Sequence, residues 1–228
     1  MMNLPELWKH LKFVSDYSHI TGSQKQILEA ILYDELQERE LRRTRHLLNR
    51  SGIKKIKRIE DFDWTFNPKI PKQTIMPFFN SCQWAQEKAV NIVFIGPTGV
   101  GKSHLADALC CQMIRAYGIP ATRITCYDLV EKLKKSTNKY HLINYYATVK
   151  VLCLDELGYV FPSKDQAGDI FQIVSKRSEL LPTIVTTNLK PSQWGNMFEA
   201  STATAILDRL SLNGNFLAWE GPSYRAKK

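Results

Sequence analysis

The sequence lacks any apolar run long enough to cross a membrane and any recognisable secretion signal. No stretch of its 228 residues reaches the roughly 18 apolar residues that a membrane-spanning helix requires. The first residues, MMNLPELWKH, contain no apolar core followed by a cleavage site. We therefore expect a cytoplasmic protein without a membrane partner. Its hydrophobic content of 44% and charged content of 23% are typical of a globular chain.

The arrangement of the cysteines argues against a disulfide framework. The five cysteines are Cys82, Cys110, Cys111, Cys126 and Cys153. Their number is odd, two are adjacent, and no pair has the spacing of a metal site. We expect reduced thiols that serve as small core residues.

Acidic residues are almost missing from one segment, residues 39–58. It contains nine Lys or Arg and a single acid, Glu40, so its net charge is +8. The whole chain carries +9, which leaves only +1 for all other residues. Charge concentrated in this way is typical of a surface that binds a polyanion.

Hydrophobic periodicity divides the chain into three parts. Residues 1–58 are predicted to form a small helical domain that is basic at its end. One helix places Leu7, Trp8, Leu11 and Val14 on one face, and a longer one begins near Ser23 and stops before Gly52. Residues 59–90 are predicted to be a linker and a leading helix, and residues 91–228 an α/β domain.

The third part alternates short β-branched apolar runs with amphipathic stretches. Strands are predicted at 91–95, 121–125, 149–154, 183–187 and 215–219, and helices near 102–116, 127–135, 139–146, 165–179 and 201–211. This alternation predicts an α/β fold with a parallel sheet of about five strands flanked by helices on both faces.

The stretch GPTGVGKS follows the first predicted strand and precedes a helix, the context that a phosphate-binding loop requires. Its glycines let main-chain N–H groups surround phosphate oxygens, and the helix N-terminus adds positive charge. Lys102 is predicted to reach the β- and γ-phosphates, and Ser103 to hold Mg²⁺. The predicted nucleotide-binding residues are Gly96, Pro97, Thr98, Gly99, Val100, Gly101, Lys102, Ser103, His104 and Asp155.

Two adjacent carboxylates, Asp155 and Glu156, follow the apolar run VLCL. They are expected at the carboxyl end of a buried strand, where ligands bind in such folds. Asp155 suits an indirect Mg²⁺ ligand, and Glu156 suits the base that polarises an attacking water. Such a base disfavours a small-molecule kinase, and no N-K-x-D motif for guanine is present, so a hydrolytic ATPase is the better interpretation.

Two later residues complete the predicted catalytic set. Asn188 ends the apolar run TIVTT and is positioned to hydrogen-bond the water or the γ-phosphate. Arg209, near the end of a helix, is a candidate for stabilising transition-state charge, with Arg225 as the alternative. The catalytic candidates are therefore Lys102, Glu156, Asn188 and Arg209.

These elements, with the phrases TTNLKPSQWGNMF, TAILDRL and GPSYR, resemble the AAA+ ATPases of the IstB/DnaC group. They are most similar to the IstB family, ATP-dependent helpers of insertion-sequence transposases. The resemblance implies a P-loop AAA+ fold with Walker A at Lys102 and Ser103 and Walker B at Asp155 and Glu156. It also implies sensor 1 at Asn188 and an arginine finger at Arg209. The linker around residues 60–68 resembles one that helps hold adenine, and we expect no full C-terminal lid.

The resemblance further implies an ATP-dependent homo-oligomer that assembles on double-stranded DNA and acts on a cognate transposase. Two basic sets are candidate DNA contacts, although the second is also typical of a solvated helix face. They are Arg42, Arg43, Arg45, Arg50, Lys54 and Lys55, and then Lys132, Lys134, Lys135 and Lys139. A replicative-helicase loader, a stand-alone nucleotide kinase and a non-hydrolysing ATP-dependent DNA-binding module remain alternatives.

Overall fold

The computed structural model describes residues 22–227, so the predicted helical face of Leu7, Trp8, Leu11 and Val14 lies outside the described residues. The chain divides into two compact units, Met1–Arg45 and His46–Lys228. The predicted domain boundaries at residues 58 and 90 remain predictions. Among the described residues, no helix is long and apolar enough to cross a bilayer.

Helix α1 covers Gly22–Arg50, as the longer amino-terminal pattern predicts. In its part within the first unit, Arg39 and Arg42 both pair with Glu35, and the side chains of Ile27 and Ile31 are exposed. In its part within the second unit, Leu47 and Leu48 pack against a hydrophobic cluster. The helix is followed by Gly52, which has a φ of +74°.

The second unit contains the remaining elements. The helices are α2 (Lys72–Asn80), α3 (Gln83–Gln86), α4 (Lys102–Tyr117), α5 (Cys126–Lys135), α6 (Lys139–Thr148), α7 (Lys164–Arg177) and α8 (Ala200–Ser211). The strands are β1 (Asn91–Ile95), β2 (Ala121–Thr125), β3 (Val151–Leu157), β4 (Thr183–Thr187) and β5 (Gly214–Ala218). Two 3₁₀ segments, Pro191–Asn196 and Tyr224–Lys227, complete the set.

The five strands form one parallel sheet in the order β2-β3-β4-β1-β5. Alternate residues of β1 face opposite sides, so Ile92 and Phe94 join the cluster that includes α2 and α4, and Val93 joins the cluster that includes α5 to α8. The sheet is thus covered on both faces, and this confirms the predicted fold class.

Four of the five cysteines are buried and Cys82 is partly buried, all as free thiols. The predicted strand bounds hold within a residue at β1, β2, β4 and β5. At β3 the prediction is wrong: the strand begins at Val151 rather than 149 and extends to Leu157. A register shift between Leu154 and Leu157 explains the longer end, because the irregularity lets pairing resume beyond the two carboxylates.

Candidate functional site

The loop between β1 and α4 has the backbone form of a phosphate cradle. It leaves the sheet at Gly96 and reaches the first helical residue, Lys102, through Gly99 and Gly101, whose φ angles are +85° and +97°. These angles are rare for residues with a Cβ atom, so the glycines allow the tight turn. The loop therefore places main-chain N–H groups at a helix N-terminus, a natural anion site.

Lys102 is held by the loop that it closes. Its Nζ donates hydrogen bonds of 2.7 Å to the carbonyl oxygens of both Gly96 and Pro97. Burial lowers the pKa of Lys102 to about 8, partly offset by the negative charge of Asp155. A buried ammonium group with carbonyl partners only is well prepared to exchange one of them for a phosphate oxygen.

Asp155 is the focus of the polar network. Its side chain is almost completely buried, and its Oδ1 accepts hydrogen bonds from Ser103 Oγ, at 2.8 Å, and from Thr186 Oγ1. A hydroxyl and a carboxylate oxygen side by side are ligands that Mg²⁺ prefers, directly or through water. These residues fit the magnesium role predicted for Ser103 and Asp155, which remains a prediction.

Glu156 turns away from its buried neighbour. Its φ is +59°, its main-chain N–H donates to Thr186 Oγ1 at 3.0 Å, and its side chain is exposed. The β-bulge thus directs two adjacent carboxylates to different environments, one buried and one lining the cavity beside the phosphate loop. This arrangement can supply a metal-site carboxylate and a separate base for water.

That cavity has a volume of about 530 Å³. The linker contributes Phe62, Phe66 and Ile70 to one wall, and the carboxyl-terminal 3₁₀ segment contributes Tyr224 and Arg225. The rings of Phe66 and Tyr224 meet edge to face at 5.0 Å. Aromatic side chains beside a phosphate loop are typical of a purine site.

The phosphate loop also contacts a hydroxyl of the segment after β3. Thr98 Oγ1 and the Tyr159 hydroxyl lie 2.6 Å apart, and both residues line the cavity. His104 lies at the same wall: its ring packs edge to face on Phe62, and burial lowers its pKa. A neutral imidazole is thus favoured there, which suits packing better than phosphate binding.

Two predicted catalytic residues lie elsewhere. Asn188 is exposed at the end of β4 and lines a neighbouring cavity with Gly96 and Pro97, rather than the aromatic cavity. Arg209 Nε donates to Ser175 Oγ at 3.0 Å, and its guanidinium lies over the ring of Phe171. The structure therefore joins Lys102 and Glu156 in one cavity but does not bring Arg209 to it.

Arg209 lies at the opposite end of the sheet from the phosphate loop. Asn91, the first residue of β1, donates through its side-chain amide to the carbonyl oxygens of Arg209 and Leu210. The loop follows the last residue of β1, and a five-residue strand spans about 13 Å. By contrast, Arg225 lines the cavity beside the phosphate loop of its own chain.

The basic candidates differ in what they contact. Lys139 forms a 2.7 Å ion pair with the buried Asp169, and Lys135 pairs with Glu131 at 3.0 Å. Lys132 and Lys134 are exposed on α5. The other set divides between the two units: Arg42, Arg43 and Arg45 belong to the first, and Arg50, Lys54 and Lys55, all exposed, belong to the second.

Sequence patterns did not indicate three polar residues around Asp155 and Glu156. Asp107 follows Ser103 by one helical turn, a spacing that places both on one face and could have been recognised. Thr186 and Arg123 contact Asp155 from β4 and β2. The contacts of Thr186 and Arg123 depend on the order of the strands in the sheet, and no local sequence pattern predicts that order.

A parallel sheet in the order β2-β3-β4-β1-β5, with a phosphate loop after β1 and Asp155 beside Ser103, has the P-loop AAA+ fold. Solved structures share this fold: a crystal structure of the DnaC helicase loader covers 64% of this chain and 86% of its own, with a TM-score of 0.54 and 25% identity. A crystal structure of DnaI covers 73% and 89%, with a TM-score of 0.60 and 21% identity.

The chain belongs to the family of IstB-like ATP binding proteins, whose family model matches residues 3–228. The insertion-sequence IS232 protein of Bacillus thuringiensis subsp. berliner, described as ATP-binding, is 32% identical over 99% of this chain and 91% of its own length. The replicative helicase loader DnaC of Escherichia coli K12 is 30% identical over 90% of this chain and 83% of its own length.

Proposed function

We propose that this chain hydrolyses ATP and uses the nucleotide to control its action in transposition. The observation that carries the proposal is the 2.8 Å hydrogen bond between Ser103 and Asp155, with Glu156 lining the same cavity. Ser103 and Asp155 are suited to a metal-bound phosphate, and the Glu156 side chain is exposed outside their buried network. A site that only binds ATP needs no such base.

In this proposal, each residue of the site has one task. Main-chain N–H groups of Gly99 to Ser103 and the Lys102 ammonium hold the phosphates. Ser103 and Asp155 would hold Mg²⁺, which when bound neutralises charge on the β- and γ-phosphates. Glu156 orients a water and accepts its proton as the water attacks the γ-phosphorus, while the bond from that phosphorus to the β-phosphate oxygen breaks and ADP leaves.

The purine would occupy the aromatic wall. Phe66 and Tyr224 already meet at that wall, and Ile70 adds apolar surface beside them. A flat base buried among such side chains gains hydrophobic stabilisation and edge contacts. The linker is therefore the element that we assign to adenine.

Asn188 and Arg209 are also assigned to hydrolysis, the first in its own subunit and the second in a neighbouring one. Asn188 shares a cavity with Gly96 and Pro97, on the phosphate loop itself, and would meet the γ-phosphate side of that loop. Arg209 lies at the far end of its own sheet, so a catalytic role requires the nucleotide of another subunit. Hydrolysis would then depend on a homo-oligomer.

The polyanion partner that fits this chain is double-stranded DNA. The excess charge between residues 39 and 58 supports this, because it is too large for local acids to balance. Family membership supports a transposase of the same insertion sequence as the protein partner. We propose that ATP promotes assembly on DNA, that the assembly recruits or stimulates the transposase, and that hydrolysis resets it.

The decisive experiment follows ATP turnover and particle size together. The unaltered chain is mixed with Mg²⁺-ATP, with and without duplex DNA, while phosphate release and sedimentation are recorded. We expect DNA-stimulated turnover and ATP-dependent assembly, both absent from Lys102→Ala. Turnover by a monomer that ignores DNA would favour a nucleotide kinase or similar enzyme, and assembly without turnover a non-hydrolysing module.

A replicative-helicase loader is the second candidate, favoured by the 30% identity to DnaC. The two candidates share an ATPase core and differ in the protein that they bind. Co-purification from the native host separates them: a transposase supports the first function, and a replicative helicase supports the second.

A further inference from the structure

Arg123 is the cation next to the candidate magnesium carboxylate, and the proposed function gives it no role. Its Nη2 donates to Asp155 Oδ2, while Asp155 Oδ1 accepts from Ser103 and Thr186. Each oxygen of the buried carboxylate is therefore held by a different set of donors. Only Oδ1 lies beside the hydroxyl that would share a metal.

The strand register explains how Arg123 reaches this position. On the paired strands β2 and β3, Arg123 is opposite Cys153 and Thr125 is opposite Asp155. Side chains two residues apart share a face, so Arg123 and Asp155 are diagonal neighbours on the side that α4 covers. The small Cys153 side chain between them leaves space for the guanidinium.

A second carboxylate completes the group. Asp107, on α4, lines the nucleotide cavity, and its Oδ1 lies 3.3 Å from Arg123 Nε, although the two atoms are not aligned as a hydrogen bond. Arg123 and Asp107 are each less than one-fifth exposed, and Asp155 is almost fully buried. One buried cation thus faces two carboxylates at the edge of the phosphate site.

Contacts of its own backbone also hold Arg123 in place. β2 is an edge strand, but the N–H of Arg123 donates to the carbonyl oxygen of Ser51 at 2.6 Å. A Cβ atom at Gly52 would lie 2.3 Å from the Arg123 oxygen, so the chain after α1 approaches closely there. Arg123 is consequently held in place before any ligand arrives.

We propose, building on the ATPase function above, that Arg123 is a positioning residue for the metal carboxylate. It keeps Asp155 Oδ1 directed to Ser103, and it reduces the negative charge that Asp155 and Asp107 together present to a divalent cation. Without it, the pair attracts the cation more strongly but holds it less precisely. Cation binding then tightens while turnover slows, a combination that general loss of structure does not produce.

The test measures cation affinity separately from activity. Mn²⁺ replaces Mg²⁺ as a paramagnetic probe and is titrated into the protein–ADP complex of the unaltered chain and of Arg123→Gln. We expect Mn²⁺ to bind about three- to tenfold more tightly to the variant, because a nearby like charge has been removed. ADP affinity in EDTA should stay within about twofold, because the phosphate loop is intact, and kcat should fall at least about tenfold with KM little changed.

Three further variants test the charge argument. Arg123→Gln combined with Asp107→Asn restores the original net charge of the group, so Mn²⁺ affinity should return towards that of the unaltered chain. Arg123→Lys keeps the charge but loses the planar pair of donors, so Mn²⁺ affinity should be preserved while kcat falls. Arg115→Gln makes the same charge change at an exposed position of α4, so both Mn²⁺ affinity and kcat should stay unchanged.

Unchanged or weaker Mn²⁺ binding in Arg123→Gln would overturn the proposal. So would ADP affinity that falls equally with and without the cation. If Arg123→Gln does not fold, Arg123→Lys decides the question: preserved Mn²⁺ affinity with a lower kcat supports the proposal, and weaker Mn²⁺ binding or an unchanged kcat overturns it. Absence of ATP hydrolysis by the unaltered chain would refute the ATPase function, and the Mn²⁺ titration would still decide the role of Arg123.

Discussion

The ring of Phe62 lies directly beside Gly101. A Cβ atom at Gly101 would be 2.8 Å from two carbons of that ring. The φ of Gly101 is +97°, so the same position is also closed to other residues by its backbone. The linker and the last turn of the phosphate loop therefore depend on each other.

The first prediction follows from this contact. Gly101→Ala must change the loop angle or displace Phe62, so we expect nucleotide affinity to fall at least tenfold and the free energy of unfolding to fall by about 1–3 kcal/mol. ADP titration and chemical denaturation measure the two effects.

Gly168→Ala on α7 is the matched control. Nothing lies within 4 Å of a Cβ atom at Gly168, and the residue is helical. This change should leave nucleotide affinity unaltered and leave stability equal or slightly higher. Unchanged ADP affinity in Gly101→Ala would contradict the loop geometry as the determinant of binding.

The second prediction separates binding from hydrolysis. Glu156→Gln retains the phosphate contacts and removes the base, so ATP should bind normally while turnover falls by roughly 10²–10⁴-fold. Lys102→Ala is the comparison, because it removes the cation of the loop and should weaken binding itself. Nucleotide titrations and steady-state turnover measure both, and full activity in Glu156→Gln would end its assignment as the base.

The third prediction concerns a buried arginine outside the site. Arg177 is 1% exposed, and its guanidinium donates to five carbonyl oxygens, including those of Val149 and Pro182, and to the hydroxyl of Thr183. Arg177→Met removes the guanidinium donor from these buried acceptors, so we expect the free energy of unfolding to fall by more than about 3 kcal/mol.

Denaturant unfolding measures that loss, and Lys164→Met serves as its control. Lys164 pairs with Glu199 at 3.2 Å, but both side chains are largely exposed, so this change should alter stability by less than about 1 kcal/mol. Similar stability of Arg177→Met and the unaltered chain would mean that water replaces the missing donors.

Local patterns were sufficient to predict most of the fold. Strands β1 and β3 contain the apolar runs IVFI and VLCL, and GPTGVGKS fixes its own loop and helix through glycine and the helix N-terminus. The end of β3 was missed because the bulge at Asp155 and Glu156 depends on pairing with β4, which is distant in sequence. A local pattern carries no information about such pairing.

The same limit applies to the site. The roles proposed for Lys102, Ser103 and Asp155 follow from motifs, and the structure puts the latter two in contact. Arg123 gave no signal, because a basic residue in a strand is ordinarily solvated. Arg123 contacts Asp155 because β2 lies next to β3 in the sheet and because α4 covers both side chains.

The fourth prediction is that Arg209 acts on the nucleotide of a neighbouring subunit. Arg209→Ala should reduce hydrolysis by about 10³-fold or more, while each subunit still binds ATP, because the residue lies outside its own cavity. Mixing it with Lys102→Ala protein should restore part of the activity, since some interfaces then join an intact site to an intact arginine.

A control for the packing role of Arg209 is Ser175→Ala, which removes its hydrogen-bond partner on α7 and keeps the guanidinium over Phe171. This variant should retain activity in the oligomer. If mixed oligomers of Arg209→Ala and Lys102→Ala form but recover no turnover, the arginine acts within its own chain or only in packing.

The fifth prediction addresses DNA. If Arg42, Arg43 and Arg45 contact phosphates, replacing all three with Gln should weaken binding to all duplex sequences alike and preserve the helix. The slope of log K against log salt should decrease in magnitude by about 0.9 for each phosphate that the variant no longer neutralises. ATP binding should not change, because these residues belong to the first unit and the phosphate loop to the second.

Lys132 and Lys134, exposed on α5, provide the comparison when replaced in the same way. An unaltered slope in the arginine variant and a reduced slope in the lysine variant would transfer the DNA-binding role from α1 to α5.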